Sequence, residues 1–360
     1  MTTRRGFLAG LVATGALPAT GWAEAGAPDY LAAALFPDGS YRLAGLRASG
    51  QMVFDLPLPA RGHAAAAHPL RPEAVAFARR PGRFALVIDC MTGQRIAKLD
   101  APEGRHFYGH GVFARDGRTL FTTENDYDAG QGVIGLWDAT RGYARIGEMP
   151  SGGVGPHDIL LMPDGETLAV ANGGIETHPD TVRAKLNLPF MEPNLSYMTL
   201  DGDILEQVGP PSGQHKNSIR HLALRADGRL GFAMQWQGEA TVHPPLLGLH
   251  RRGTDPVFLT APEAQQAQTQ GYAGSVAFSR DGMRVGFTAP RGGALHVFDA
   301  EDHSFSGEHL IEDVCGLGAG PSGFFFTAGT GGVGRLGKGK AIALAQAGCQ
   351  WDNHLVPVAL

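Results

Sequence analysis

The chain is patterned as short apolar runs separated by Asp-Gly turns and Gly-rich loops. The clearest example lies within residues 155–180, where the apolar run 159–161 precedes Pro163-Asp164-Gly165 and a second apolar run, 168–170, follows it. An Asp-Gly pair between two apolar runs predicts a β-hairpin, because glycine adopts positive φ without steric cost. The two ends of a hairpin meet, so polar residues there are expected to face one another. These residues are His157, Asn172, Glu176 and His178.

The same phrase recurs along the chain. Residues 109–117, 220–228 and 274–282 repeat the order of an apolar strand followed by Asp-Gly. A second apolar run follows each turn, and in several copies a third run ends in an apolar-Asp pair. Each unit is therefore expected to contain three or four antiparallel strands. The first strands begin near residues 63, 110, 157, 221, 275 and 315, and a seventh near 353.

The repeat predicts an all-β fold, a seven-bladed β-propeller formed as one domain from residues 28–360. Seven units give roughly 48 residues each, close to the spacing of known propeller repeats. The first strand of the seventh unit lies at the C-terminus, and no further strands follow it. The N-terminal runs 30–36, 41–46 and 51–56 are instead preceded by no first strand. We therefore expect the last blade to be closed by N- and C-terminal strands together. Six and eight blades are the alternatives.

The N-terminal segment predicts export. Arg4 and Arg5 precede an apolar run rich in Gly and Ala, and Ala23-Glu24-Ala25 provides a cleavage site of small residues. This order is typical of a twin-arginine-type signal peptide over residues 1–25, cleaved near Ala25. The expected location is the periplasm, and a passenger exported in the folded state often already holds a cofactor. The alternative is an ordinary N-terminal segment in which the two arginines are accidental.

Composition narrows the class of partner. The formal net charge of -5 and the absence of Lys/Arg blocks argue against nucleic acid. No apolar run after the N-terminal segment reaches the roughly 18–20 residues needed for a transmembrane segment. Three cysteines, Cys90, Cys315 and Cys349, allow at most one disulfide. We expect a monomer.

Seven phrases spread over the chain resemble one bacterial family. They are RHFYGHGVF, TTENDY, GPHDILLMPDG, ANGGIETHPD, SIRHLA, PRGG and WDNH. The chain is similar in them to the DUF1513 family of periplasmic proteins. The resemblance implies a seven-bladed propeller. Its members are often encoded near imelysin-type iron-uptake proteins and a di-haem oxidoreductase, which makes these the expected partners.

Histidines occupy equivalent positions in the repeats. Alignment of the copies places four of them at the first residue of an innermost strand, whereas His157 comes one position earlier. The innermost strands of a propeller surround its channel, so these side chains are expected to converge at one mouth. A shift of one residue would turn His157 toward the other neighbouring blade, unless the strand begins with a bulge. The four aligned residues are His63, His110, His221 and His354.

Loops that follow the second strands should emerge at the same mouth. They carry Glu124 and Glu176, which are candidate catalytic proton carriers, and the long insertion from Thr177 to Asn194, which is expected to act as a lid. Candidate ligand-binding residues are Tyr108, Asn172, Gln235, Arg220 and Arg291. Paired hydrogen bonds from arginine suit an anionic substrate or the carboxylates of a metal chelate.

Several functions fit this face. Neutral imidazole binds copper, iron or zinc, so the first hypothesis is a protein that binds a transition metal or metal-bearing ligand in iron or other metal acquisition. The second is a metal-dependent oxidoreductase or hydrolase, and the third is a metal-free interaction scaffold. In a purely structural alternative, each histidine bonds to backbone or to an Asp of the adjacent strand. The candidate metal ligands are His63, His110, His157, His178, His221 and His354.

Overall fold

The computed structural model describes residues 21–79, 83–181, 184–337 and 339–358. Residues 1–20 of the expected signal peptide lie outside this range. Just after them, Trp22 donates a hydrogen bond from Nε1 to the backbone oxygen of His68 at 2.9 Å, and Ala25 is buried. Cleavage near Ala25 stays a prediction.

Seven small antiparallel sheets form a ring in the described part of the chain. The first blade contains β1 (Tyr30–Leu35), β2 (Tyr41–Leu46) and β3 (Met52–Leu58). The second contains β4 (Gly62–Ala67), β5 (Glu73–Ala78), β6 (Phe84–Asp89) and β7 (Arg95–Asp100). The third contains β8 (Arg105–Phe113), β9 (Thr119–Asp126), β10 (Gln131–Asp138) and β11 (Ala144–Pro150). The fourth and fifth contain β12 (Pro156–Leu161), β13 (Thr167–Asn172), β14 (Asn194–Thr199) and β15 (Ile204–Val208); and β16 (Asn217–Leu224), β17 (Leu230–Trp236), β18 (Leu247–His250) and β19 (Val257–Leu259).

The last two complete blades and the C-terminal strands follow in chain order. They contain β20 (Ser275–Phe278), β21 (Arg284–Ala289), β22 (Ala294–Asp299) and β23 (Phe305–Leu310); β24 (Val314–Gly320), β25 (Gly323–Ala328), β26 (Gly332–Gly337) and β27 (Lys340–Gln346); and β28 (Gln350–Trp351) and β29 (Val356–Pro357). Helical structure comprises α1 (Glu263–Gln268) and the 3₁₀ turns Pro179–Thr181, Leu188–Phe190, Ser212–Gln214 and Pro290–Gly292. No helix of the described chain has the length and hydrophobicity required to cross a bilayer.

The two ends of the chain close the ring, as the sequence predicts. Strand β1 pairs on one edge with β2 and on the other with β28 and β29. The register aligns Ala34 with Trp351 and Tyr30 with Pro357. Trp351 is buried in an apolar cluster with Tyr30 and Phe325, so the contact joins the first blade to the seventh. Seven blades and the shared blade are both confirmed.

The apolar core lies between neighbouring blades. Inner strands such as β13 are buried along their whole length, whereas the outermost strand β11 alternates between exposed and partly buried residues. Tyr197 and Phe232 fill the space between the fourth and fifth blades and are almost fully buried. This pattern follows from sheets packed face to face, because only the outer rim of each blade meets solvent.

The predicted Asp-Gly hairpin forms between β12 and β13. Gly165 adopts a φ of 75°, in the region that favours glycine. The Asp164 carboxylate accepts hydrogen bonds from the backbone N–H groups of Glu166 and Thr167, both at 2.9 Å. The turn therefore satisfies its own polar groups and directs the polar ends of both strands toward the opposite face.

A truncated chain that ends at Cys349 tests whether the C-terminal strands close the ring. It lacks β28 and β29, and removal of the buried Trp351 side chain alone is expected to cost about 3–5 kcal/mol. We expect the midpoint of thermal unfolding to fall by at least about 6 °C, since 1 kcal/mol corresponds to roughly 2–4 °C in a chain of a few hundred residues. A control that lacks only residues 359–360 should unfold like the full chain. Equal midpoints for the two truncations would contradict closure by the C-terminal strands.

Candidate functional site

Five histidine side chains meet at the centre of the ring. His63, His110, His157 and His221 lie on the first strands of consecutive blades, β4, β8, β12 and β16, and His354 lies between β28 and β29. The ring centroids of His63 and His354 are 4.4 Å apart, and those of His157 and His221 are 4.7 Å apart. His110 is 4.7 Å from His354 and 5.1 Å from His157. The five imidazoles therefore form one continuous cluster, which we call the histidine cluster.

Register shifts at the start of the inner strands determine the direction of these side chains. The register shifts between Gly62 and Ala65, between Phe107 and Gly111, and between Ile219 and His221. A further shift between Pro156 and Asp158 contains His157. A bulge changes the direction in which a side chain leaves the strand. The bulge therefore compensates for the position of His157, one residue earlier in its repeat than the other histidines, and its ring lies beside the other four.

A glycine permits the close approach of two blades. Gly109 has a φ of 105°, and a Cβ atom there would lie 2.5 Å from Cδ2 of His63. Any other residue would displace the His63 ring from the cluster. The Gly109-His110 pair therefore combines a ligand candidate with the space that its neighbour needs.

Burial keeps four of the five imidazoles neutral. It lowers the pKa of His63 to about 4, with the charge of His110 as a further cause. Burial also lowers the pKa values of His157, His221 and His354 well below the usual value, and neighbouring histidines and arginines add to the effect. Neutral imidazole retains the lone pair that binds a metal ion, whereas imidazolium does not.

Several buried nitrogens of the cluster have no hydrogen-bond partner among the described residues. They are Nδ1 of His63, Nε2 of His110, Nδ1 of His157, both ring nitrogens of His221 and Nε2 of His354. A buried polar atom without a partner costs about 1–3 kcal/mol, so a group of them requires an explanation. The purely structural alternative, in which each histidine bonds to backbone or a neighbouring Asp, does not account for these atoms.

The nitrogens fit a transition-metal ion. Ligand atoms of His63, His110 and His354 lie within 4.8 Å of one another, and so do those of His110, His157 and His221. Bonds of about 2.0–2.1 Å place two ligand nitrogens at most roughly 4.2 Å apart, so a small approach of the rings is needed. Imidazole nitrogens alone suit copper, zinc, iron or nickel.

Two carboxylates support the cluster from behind. Oδ1 of Asp158 lies 3.0 Å from Nδ1 of His110, while Oδ2 of Asp158 accepts a hydrogen bond from the Leu222 N–H at 2.9 Å. A carboxylate behind a histidine fixes the orientation of the ring and leaves Nε2 for a metal. The sequence analysis missed Asp158, although it directly follows His157 in GPHD.

The second carboxylate is Asp352. It lies 3.7 Å from Nδ1 of His63 and 2.8 Å from a guanidinium nitrogen of both Arg61 and Arg79. Burial raises the pKa of Asp352, but His63 and the two arginines outweigh it, so the pKa is lowered overall. Asp352 was missed for the same reason as Asp158: it stands beside a candidate ligand, in WDNH, and its partners are distant in sequence.

A cavity of about 360 Å³ opens onto the cluster. His63, His157 and His221 form part of its wall. Four of the five predicted ligand-binding residues line it, namely Tyr108, Gln235, Arg220 and Arg291. Further lining residues, outside the predicted set, are Arg79, Lys185, Trp236, Gln237, Tyr272 and Asn353.

Other predicted residues lie elsewhere. Glu124 is fully buried, and its carboxylate pairs with Arg145 of the outermost strand β11 at 2.7 and 3.0 Å, so it points away from the channel. Oδ1 of Asn172 accepts a hydrogen bond from the Ser151 hydroxyl, and Nδ2 of Asn172 donates one to Oδ1 of Asn194. Neither is among the described residues that line the cavity, and the roles of Glu124 as a proton carrier and Asn172 as a ligand-binding residue stay predictions.

The loop candidates are also separate from the cluster. His178 lies 3.6 Å from carboxylate oxygens of Asp128 and Asp180 and packs against Tyr127, and it belongs to neither histidine group that could hold a metal. Glu176 is not among the described residues that line the cavity. The insertion that follows β13 instead contributes Thr177 and Lys185 to the cavity wall.

These features define a seven-bladed β-propeller with a buried histidine cluster beneath a central cavity. The chain belongs to the family described as Protein of unknown function (DUF1513), whose model matches residues 56–358. This confirms the family resemblance of the sequence phrases.

The remaining comparisons describe the fold. Among solved structures, 1031 chains match, so the architecture is widespread and does not define an activity. The hydrazine synthase of Kuenenia stuttgartiensis matches with a TM-score of 0.58 and 14% identity, over 88% of this chain and 95% of that chain. At this identity the likeness concerns the fold alone. No curated protein matches the sequence.

The free energy of unfolding of the metal-free protein should decrease as the pH is lowered. The folded-state pKa values of four cluster histidines are lowered, so below about pH 6.5 the unfolded chain binds protons that the folded chain does not. Each such histidine should cost about 2 kcal/mol between about pH 7.5 and pH 5. Urea unfolding of His221→Gln should lose about 2 kcal/mol less than wild type over this interval. His303→Gln, which changes a partly exposed residue outside the cluster, is the control, and wild-type pH dependence in His221→Gln would contradict the assignment.

Proposed function

We propose that the histidine cluster binds one transition-metal ion, copper, iron or zinc, and that this binding is the basis of the protein's function. The observation that carries the proposal is the group of buried imidazole nitrogens without hydrogen-bond partners among the described residues. Such atoms are costly when unpaired and are good metal ligands. Metal coordination removes the cost for several of them at once.

A single ion is favoured over two. The two groups of three histidines share His110. Because Nδ1 of His110 faces Asp158 at 3.0 Å, only its Nε2 remains for a metal. The two groups therefore compete for one nitrogen atom, and an ion in either position excludes full occupancy of the other. We expect one ion per chain, held by His110 with two to four of the remaining imidazoles.

A catalytic function is the second candidate. The cavity reaches His63, His157 and His221, so an ion held there would be accessible from one side. An accessible coordination position is typical of catalytic metal sites, whereas a closed shell is typical of binding and storage. A metal-dependent oxidoreductase or hydrolase would use this position. If the protein takes up no metal, the interaction scaffold becomes the better account.

We also propose a role, partners and a cellular location for the protein. Family resemblance supports a role in iron or other metal acquisition, with imelysin-like proteins or a di-haem oxidoreductase as partners. The paired arginines of residues 1–25 support export to the periplasm by the twin-arginine route. A monomer stays our expectation.

Replacement of His110 and His221 together with Ala tests the metal site. Both groups of three lose at least one member, so uptake of added Cu²⁺ or Zn²⁺ should fall from about one equivalent to near zero, measured by elemental mass spectrometry after gel filtration. His303→Ala should retain wild-type uptake. The fold is checked by circular dichroism on the metal-free protein. Unchanged uptake by the folded double variant contradicts the site, and uptake restored by His110 alone would identify it as the essential ligand.

Asp158→Asn tests the support behind His110. The amide keeps an oxygen that accepts the Leu222 N–H but removes the negative charge facing Nδ1. Loss of such a carboxylate typically weakens metal affinity about 10- to 100-fold, and we expect a decrease in this range in a competition titration with a chelator. Asp164→Asn, in the exposed turn, is the matched control. Equal affinities for the two variants would remove Asp158 from the site.

A further inference from the structure

The mouth of the cavity above the histidine cluster is unusually rich in positive charge. Arg79, Lys185, Arg220 and Arg291 all line it, and no aspartate or glutamate does so among the described residues. The chain as a whole carries a net charge of -5, so this concentration is not a reflection of the overall composition. Arg79 is paired with the Asp352 carboxylate, at 2.8 Å.

Neutral groups hold Lys185 and Arg291 in position. Nζ of Lys185 donates a hydrogen bond to Oε1 of Gln237. The guanidinium carbon of Arg291 lies 4.4 Å from the ring centroid of Tyr272, a cation–π distance. Within the described chain, neither cation lies within 4.0 Å of a carboxylate, so both retain donors for a ligand. Both side chains are also accessible from solvent.

Like charges are close enough here to affect one another. Partial burial lowers the pKa of Lys185, and the charges of Arg220 and Arg291 lower it further. Repulsion of this kind is relieved by an anion that binds between the cations. Lys185 comes from the insertion between β13 and β14, whereas Arg220 and Arg291 belong to the fifth and sixth blades, so three parts of the fold meet at this position.

We propose that the cavity binds a small polyanion, with carboxylate or phosphate oxygens, between Lys185, Arg220 and Arg291. Arginine and lysine are the usual partners of both groups, and the volume of about 360 Å³ is at the lower end of small-molecule pockets, roughly 300–1,000 Å³. His63, His157 and His221 of the histidine cluster line the same cavity. An anion bound above them also has oxygens available to an ion in the histidine cluster. This second contact rests on the proposed function, whereas binding of the anion to the cations does not.

Citrate and inorganic phosphate are the probes. Isothermal titration of metal-free protein at constant ionic strength should detect binding of at least one of them. Lys185→Gln combined with Arg291→Gln should weaken it at least about tenfold, because two charge-assisted contacts are lost. The matched control is Arg95→Gln with Lys98→Gln, which removes the same charge from exposed positions of the outermost strand β7. Citrate binding without phosphate binding assigns the site to carboxylates, and the reverse result assigns it to phosphates.

Two results would overturn the proposal. The first is the absence of binding of either probe to wild-type protein, and the second is equal weakening in the cavity variant and the control. Metal measurements keep the two proposals distinguishable. The Lys185/Arg291 variant should still take up metal in the absence of added anion, and the His110/His221 variant should still bind the probe when metal-free. If wild-type protein takes up no metal but binds the probe, the anion site stands and the metal site fails.

Discussion

Burial of several imidazoles around one point is the constraint on which this site depends. Removal from water holds the rings neutral, and the same removal leaves their nitrogens dependent on partners inside the protein. Asp158 meets this need for Nδ1 of His110, whereas Asp352 faces Nδ1 of His63 only at 3.7 Å, beyond hydrogen-bond distance. Ligand nitrogens of the cluster lie within 4.8 Å of one another in two groups of three, and the proposed metal ion would satisfy several of them together.

The propeller architecture creates this space. Four of the histidines come from four different inner strands, and His354 comes from the segment between β28 and β29, so no short segment of chain could bring the five together. The bulges at the strand starts and the positive φ of Gly109 adjust the directions of the rings. Closure of the first blade by β28 and β29 brings His354 beside His63. Folding of the whole ring and assembly of the site are therefore the same event.

Much of the fold could be predicted from sequence because each blade repeats a local signal. The hairpin at Asp164-Gly165 and the shared blade follow from apolar periodicity and turn chemistry. Five of the six predicted metal ligands also meet, since equivalent strand positions face one channel. Glu124 could not be placed, because its direction depends on Arg145, which lies two strands away in the same blade. Lys185 and Asp352 acquire their roles only through partners that are far away in the sequence.

The most direct measurement is an anomalous difference map from crystals of the metal-loaded protein, collected at the absorption edge of the bound element. The account predicts one peak inside the ring, within about 2.0–2.2 Å of nitrogens from at least three cluster histidines, with His110 among them. A peak only at surface histidines, or no peak in protein that was given excess metal, would contradict the central claim.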